Sequence, residues 1–205
     1  MASILNYFIF SFYMLSSLCI WRLMTNNEKT PYLQSLVWFL WIIAVFAHLY
    51  DLSPILSEQY SVDLSIYHAL SVVALIISIT LYISSIFGNT LFLGLIVLPI
   101  ISMVFIFDFA NKPVNVPLNN VVFIHVIISL ISYSILCLSA AQSLILKIQE
   151  KKLQSNNPIG IIASLPSLDL MDKLLFKILA LGVLFLSASL LSGFIFLEDI
   201  FAQHL

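Results

Sequence analysis

Four histidines are the side chains of this sequence best suited to hold a metal ion or a cofactor: His48, His68, His125 and His204. Neutral imidazole is the commonest protein ligand for metals and the usual axial ligand of haem iron. A haem held without covalent bonds would take two imidazoles from facing helices. Any one of the four could equally be a hydrogen-bonded packing residue. The segments that carry the histidines decide which of these interpretations is possible.

The composition places those segments in a lipid bilayer. Hydrophobic residues make up 61% of the 205 residues and charged residues 9%, whereas about a quarter of an average soluble domain is charged. A bilayer core of about 30 Å requires about 20 apolar residues per helical crossing. We therefore predict an all-α protein, a polytopic transmembrane bundle of about six helices forming a single membrane-embedded domain over residues 1–205. The net charge of −2 argues against a nucleic-acid partner.

Six apolar segments alternate with polar stretches that contain proline or glycine. They cover residues 4–24, 33–52, 64–87, 91–109, 121–149 and 171–196. The first lacks a basic amino-terminal region and a small-residue cleavage site, so it is predicted to be a retained helix rather than a signal peptide. Trp21, Trp38 and Trp41 fit an aromatic belt at one membrane surface.

Lysine and arginine predict the orientation of the bundle, because short loops rich in these residues stay in the cytoplasm. Seven of the eight such residues follow helix 1 or flank the loop between helices 5 and 6: Arg22, Lys29, Lys147, Lys151, Lys152, Lys173 and Lys177. The amino terminus is therefore predicted to lie outside. With that orientation, all four histidines fall near the outer ends of helices.

Small residues mark one face of helix 5 and one face of helix 6. On helix 5 they follow His125 at helical spacing, as Ser129, Ser132, Ser139, Ala140 and Ser143. On helix 6 they are Ala188, Ser189, Ser192 and Gly193. Small residues allow two helix backbones to approach closely in lipid. The pattern indicates close helix packing through these faces, with His125 on the packed face. We expect His48 and His125 to face one another across a contact between helices 2 and 5.

Several kinds of chemistry lack their motifs in this sequence. Cys19 and Cys137 form no CxxC or CxxCH, which argues against a thiol–disulfide oxidoreductase and a c-type cytochrome. There is no nucleophile elbow, phosphate-binding glycine loop or HExxH. We therefore predict no catalytic residue and a protein that is not an enzyme. A secondary transporter is disfavoured because the chain has no inverted repeat.

The segment IHVIISLISY, residues 124–133, resembles a helix beginning with histidine that recurs in the cytochrome c assembly protein family. Further pieces are similar in order and spacing to the YpjD-type inner-membrane branch of that family. They are AHL at 47–49, AAQS at 140–143, QEKKL at 149–153, LP at 165–166, MDKLLF at 171–176 and LSGFIF at 191–196. The resemblance covers most of the chain and is densest from Leu118 onward.

The resemblance implies a protein of cytochrome c-type biogenesis in the cell inner membrane that binds or handles haem at the outer face. It implies a non-covalent haem b with His48 and His125 as iron ligands, and it places His204 near a later histidine of the family. Heme, the lipid bilayer and other membrane or cytochrome c assembly proteins are the implied partners. The sequence departs from the family in two ways. The tryptophan-rich, WGxYWxWD-like segment of true haem-delivery members is absent, and the chain ends where relatives continue into further helices, as expected of a fragment or a C-terminally shortened member.

An alternative belongs to a different functional class. The chain could be a non-haem accessory or regulatory subunit of another membrane protein, such as an ion transporter. An absorption band of bound haem distinguishes the two hypotheses.

Overall fold

A computed structural model describes residues 2–25, 31–57, 61–63, 65–87, 90–106, 115–117, 120–154 and 165–202. These residues form six α-helices. The helices are α1 (Ala2–Thr25), α2 (Pro31–Ser57), α3 (Ile66–Phe87), α4 (Gly94–Ser102), α5 (Asn120–Gln154) and α6 (Leu168–Ala202). Each of the six predicted apolar segments is helical, so the predicted all-α polytopic bundle is confirmed.

Five of the described helices are long and apolar enough to cross a membrane. The qualifying stretches are Ile4–Thr25, Pro31–Ser53, Tyr67–Ile86, Ile124–Gln154 and Leu168–Phe194. The fourth predicted segment is shorter: with a 3₁₀ turn at each end of α4, it covers Leu91–Phe105. At about 1.5 Å per α-helical residue and about 2.0 Å per 3₁₀ residue this gives roughly 25 Å, less than the bilayer core of about 30 Å. Residues 107–109, which the sequence added to this helix, lie outside the described residues.

The amino-terminal helices share one apolar core. Helix α1 packs against α2 and α4, and α3 joins α2 to α5. The core includes Ile9, Leu81, Leu93 and Leu98, all fully buried. Trp41 is also fully buried and its Nε1 donates to Ser78 Oγ at 2.9 Å. The prediction that Trp41 belongs to an interfacial aromatic belt is therefore wrong, because its indole N–H is satisfied inside the bundle.

Helix α6 lies at the edge of the bundle and packs chiefly on α5. Only 11% of its membrane-length span is buried, compared with 39% for α3. The contact with α5 is close. Ser129 Oγ lies 2.6 Å from Ser189 Oγ, and Ser132 Oγ donates to the Gly182 carbonyl oxygen at 3.2 Å. The predicted packing of the two helices through small residues is confirmed at these positions.

The predicted small-residue face of helix 5 is wrong at its far end, where Ala140 and Ser143 are exposed. Besides Ser139, the buried residues in this part of α5 alternate spacings of three and four and so repeat every seven positions: Ile135, Leu138, Gln142, Ile145 and Gln149. A seven-residue repeat drifts by about 20° per heptad relative to a straight helix of 3.6 residues per turn. A face extrapolated from His125 at helical spacing therefore leaves the helix contact after a few turns.

Two three-residue strands, which the sequence did not predict, connect two inter-helix segments. Strand β1 (Ser61–Asp63) follows α2, and strand β2 (Asn115–Pro117) precedes α5. They pair antiparallel, with Val62 opposite Val116. Strands this short carry no readable periodicity. The ribbon links the segment after α2 to the segment before α5.

Candidate functional site

His48 lies on α2, completely buried where the first four helices meet. Its Nδ1 lies 3.2 Å from the hydroxyl of Tyr13 on α1, and its Nε2 lies 3.0 Å from Ser71 Oγ on α3. Neutral imidazole has one donor and one acceptor nitrogen. Both are engaged by neighbouring helices, so neither nitrogen is available to a ligand in this arrangement.

Aromatic rings complete the enclosure of His48. The ring of Phe105, just after α4, stands edge-on to the imidazole at a centroid distance of 4.7 Å and an interplanar angle of 88°. Tyr13 makes a second edge contact at 6.1 Å. Tyr13 and Ser71 are fully buried, and Phe105 is 2% exposed. His48 therefore lies in a fully buried site, with polar partners at its two nitrogens and aromatic rings around it.

His125 lies on a packed face of α5, as the sequence predicts, and its described contacts are with α6. Its Nδ1 is 3.1 Å from the carbonyl oxygen of Ser189 and 2.9 Å from Ser192 Oγ. The imidazole also lies against Gly193, where a Cβ atom would be 3.2 Å from His125 Cε1. The residue is half-buried. Among the residues that the structure describes, none makes a hydrogen bond to Nε2.

Ser129 and Ser189 form a serine pair that contacts the backbone of His125. Ser129 Oγ donates to the His125 carbonyl oxygen at 2.7 Å and contacts Ser189 Oγ at 2.6 Å. Ser192 Oγ in turn donates to the Ser189 carbonyl oxygen at 2.7 Å. The imidazole is therefore attached to α6 on one side, while its second nitrogen is not used for packing by the described residues.

The other two histidines have different surroundings. His68 lies in the first turn of α3, half-buried, with Nδ1 2.9 Å from Ser65 Oγ and its ring beside Tyr67. His204 lies outside the described residues. No hydrogen bond or ring contact joins His48 to His125 in the described part of the chain. Their pairing, and the place of His204 beside them, stay predictions.

The described residues contain no cluster of three or more His, Cys, Asp or Glu side chains that could hold a metal ion. A group bound here would therefore draw on single nitrogen ligands rather than on a preformed cage. A cavity of about 110 Å³ lies elsewhere, at the end of α1. It is lined only by apolar residues: Met24, Phe92, Leu95, Ile96, Ile145, Ile148 and Leu165.

Two partners of His48 were missed by the sequence analysis, namely Tyr13 and Ser71. Each is a polar residue inside an apolar span, and a buried polar group normally has a hydrogen-bond partner. That rule would have marked both residues as members of some internal polar contact. It would not have identified His48 as the partner, because the contacts span 35 and 23 residues of sequence.

No match was found among the curated proteins or among the solved structures. A family model described as cytochrome C assembly protein matches residues 47–205. This region begins one residue before His48, contains His125 and includes helices α3 to α6. The YpjD-type branch stays a prediction. Because the match covers well over half of the chain, and the described residues include five membrane-length helices, this multi-pass membrane protein belongs to the cytochrome c assembly protein family.

Proposed function

We propose that this membrane protein of cytochrome c biogenesis handles haem at the outer face of the cell inner membrane, with His125 as one axial ligand. The haem would be haem b, bound without a covalent link. Haem, when bound, supplies a redox-active iron with two axial positions for ligands. The protein would act as an assembly factor without an enzymatic turnover of its own.

The observation that carries the proposal is the placement of the His125 ring. Its Nδ1 is engaged by the Ser189 carbonyl oxygen and Ser192 Oγ, while Nε2 has no hydrogen-bond partner among the described residues. Histidines that bind metals usually donate their other ring N–H to a carbonyl or carboxylate. The residues present therefore fit a haem ligand at His125.

His48 fits the proposed role less well than His125. Both of its nitrogens are hydrogen-bonded and the side chain has no exposed surface. As a second axial ligand it would have to give up the bond to Tyr13 or the bond to Ser71. His204 is predicted as part of the cofactor site but not as an iron ligand, so a partner protein is another source of a second ligand.

Partner proteins are required by the chemistry of the final product. Attachment of haem to a c-type cytochrome uses the thiols of a CxxCH motif. In this chain Cys19 is half-buried and Cys137 is exposed; both are free, and they form no dithiol motif. The thiols would therefore come from an apocytochrome brought by other cytochrome c assembly proteins.

An absorbance spectrum of the purified full chain, with and without added haemin, tests the proposal. The wild type is expected to give the Soret band of histidine-ligated haem. His125→Ala should lose or shift this band while the protein still inserts, and His68→Ala, the matched control on α3, should change it little. Equal haem in all three proteins would make His125 a packing residue. The interpretation as an accessory subunit of another membrane protein would then be favoured.

A further inference from the structure

Three atoms at the contact of α5 and α6 form a closed triangle of short distances. His125 Nδ1 lies 2.9 Å from Ser192 Oγ and 3.1 Å from the Ser189 carbonyl oxygen, and Ser192 Oγ lies 2.7 Å from the same oxygen. A carbonyl oxygen can only accept hydrogen bonds, and a serine hydroxyl has one proton to donate. The triangle therefore limits where the imidazole proton can be.

Consider first an imidazole with its proton on Nε2. Nδ1 is then an acceptor, and its lone pair faces the lone pairs of the Ser189 oxygen at 3.1 Å. The single Ser192 proton can serve either Nδ1 or the carbonyl oxygen, but not both. Two of the three contacts then lack a proton: the contact between Nδ1 and the Ser189 oxygen, and whichever Ser192 contact the hydroxyl proton does not serve.

With the proton on Nδ1, every contact has a donor. The N–H donates toward the Ser189 carbonyl oxygen and Ser192 Oγ, and the Ser192 hydroxyl donates to the Ser189 oxygen. Hydrogen bonding at one ring nitrogen decides which of the two nitrogens carries the proton. The second arrangement is therefore the favoured one, and it leaves a lone pair on Nε2.

Gly193 permits this arrangement sterically. A Cβ atom at this position would lie 3.2 Å from His125 Cε1 and 3.6 Å from Nδ1. The first distance is tighter than an ordinary van der Waals contact, so a side chain here would push the ring away from Ser189 and Ser192. Glycine allows the imidazole to lie directly against the helix.

We propose that the segment Ser189–Gly193 holds His125 in the tautomer whose Nε2 carries a lone pair, with Ser192 as a positioning residue for that nitrogen. Ser192 contacts the imidazole and not the iron, so it acts through His125. The inference deepens the proposed function and rests on it for the identity of the ligand. The tautomer itself is a property of the protein without haem.

Nitrogen-15 NMR of the haem-free full chain in detergent tests the tautomer directly. The chain is labelled with ¹⁵N-histidine, and the His125 signals are assigned by their loss in His125→Ala. The expected result is a protonated Nδ1 and an unprotonated Nε2. A protonated Nε2 with a bare Nδ1 would overturn the inference, whatever the protein does with haem.

Haemin titration of Ser192 variants tests the positioning role. Loss of an outer-shell partner of a metal-ligating histidine costs about 10–100-fold in affinity, so Ser192→Ala should bind haemin about tenfold more weakly. Ser192→Thr keeps the hydroxyl and should retain the affinity. Ser187→Ala is the matched control, since Ser187 Oγ makes a hydrogen bond to its own helix at Val183 and does not contact His125. Unchanged affinity in Ser192→Ala would contradict a positioning role.

The two proposals can fail separately. If His125→Ala abolishes haem binding but the NMR spectrum shows a protonated Nε2, only the tautomer inference is wrong. If His125→Ala binds haem as the wild type does, the proposed function is wrong, and the tautomer of His125 contributes only to the contact between α5 and α6. A purely structural role of Ser192 would lower the folded yield of Ser192→Ala without changing the haemin affinity of the folded fraction.

Discussion

Two regions of this bundle each centre on one histidine, but they treat the imidazole differently. Around His48, helices α1, α2 and α3 and the end of α4 converge, and Tyr13 and Ser71 engage both ring nitrogens with no exposed surface. Around His125, the contacts made by the described residues come from α6, and among these residues only Nδ1 has a hydrogen-bond partner. The imidazole is fully enclosed in the first region and only half-buried in the second.

The number of surrounding helices explains the difference. A polar group with no access to water must be hydrogen-bonded, because an unmade bond there costs the full desolvation penalty. The core at His48 therefore supplies a partner for each nitrogen. Helix α6, which lies at the edge of the bundle with 11% of its span buried, supplies the hydrogen-bond partners of the His125 ring that the structure describes, all at Nδ1. An imidazole that is held on one side and open on the other can combine a fixed orientation with ligand binding.

The largest expected effect is the difference in unfolding free energy between alanine variants of the two histidines. His48→Ala removes a fully buried ring and leaves the hydroxyls of Tyr13 and Ser71 without their partner. A cavity and two orphaned groups should cost about 3 kcal/mol of unfolding free energy. His125→Ala should cost about 1 kcal/mol or less, because interhelical hydrogen bonds in membranes are individually weak.

Thermal unfolding of both variants in the same mild detergent checks this order. The midpoint of His48→Ala should fall well below those of the wild type and His125→Ala. Tyr13→Phe is a useful companion, since it removes one partner of His48 and keeps the ring. Equal midpoints for the two histidine variants would contradict the contrast between a sealed and a half-open site.

A second prediction compares the helix contacts of the two regions through two glycines. At Gly182 of α6, an added Cβ would lie 2.8 Å and 3.0 Å from two Leu136 atoms and 3.3 Å from Ile135 Cγ2. At Gly94 of α4 it would meet only the terminal methyl of Ile20 closer than 3.6 Å. Overpacking costs about 1–3 kcal/mol, while replacing glycine with alanine in a helix gains up to about 1 kcal/mol.

Gly182→Ala should therefore lower the unfolding free energy by about 1–2 kcal/mol. Gly94→Ala should be close to neutral, because a rotation of the Ile20 side chain relieves its single short contact. Denaturant titrations of the two variants, read by tryptophan fluorescence, measure the difference. A larger loss for Gly94→Ala would mean that the tighter helix contact lies in the first region and not between α5 and α6.

Features that repeat along a helix could be predicted from the sequence. The apolar runs gave all six helices, although α5 extends to Gln154 rather than Gln149 and α6 begins at Leu168 rather than Met171. His125 was correctly placed on a packed face of α5, although the neighbouring helix there is α6. These properties depend on local hydrophobicity and on residue size along one segment, both of which are visible without knowledge of the fold.

Features that depend on which helices are neighbours could not be predicted. The partners of His48 come from α1 and α3, 35 and 23 residues away. Lipid is as apolar as leucine, so hydrophobicity does not select neighbours among membrane helices. The sequence analysis therefore treated His48 and His125 as equivalent ligands. Only the packing shows that one has both nitrogens engaged and the other has one.

The smallest expected effect concerns the pair Ser129 and Ser189, and it tests whether this pair contributes mainly to helix packing. Ser129 Oγ contacts Ser189 Oγ at 2.6 Å but touches His125 only at its carbonyl oxygen. Side-chain hydrogen bonds between membrane helices average about 0.6 kcal/mol, so Ser129→Ala should lower the unfolding free energy by about that amount. Haemin affinity should stay within about twofold, since the triangle of contacts that holds Nδ1 is untouched.

Ser143→Ala is the control, because Ser143 is exposed and its described hydrogen bond goes to Ala140 on its own helix. A large loss of haemin affinity in Ser129→Ala would extend the positioning role from Ser192 to the whole serine network, and the comparison of the two regions would have to be redrawn around that network.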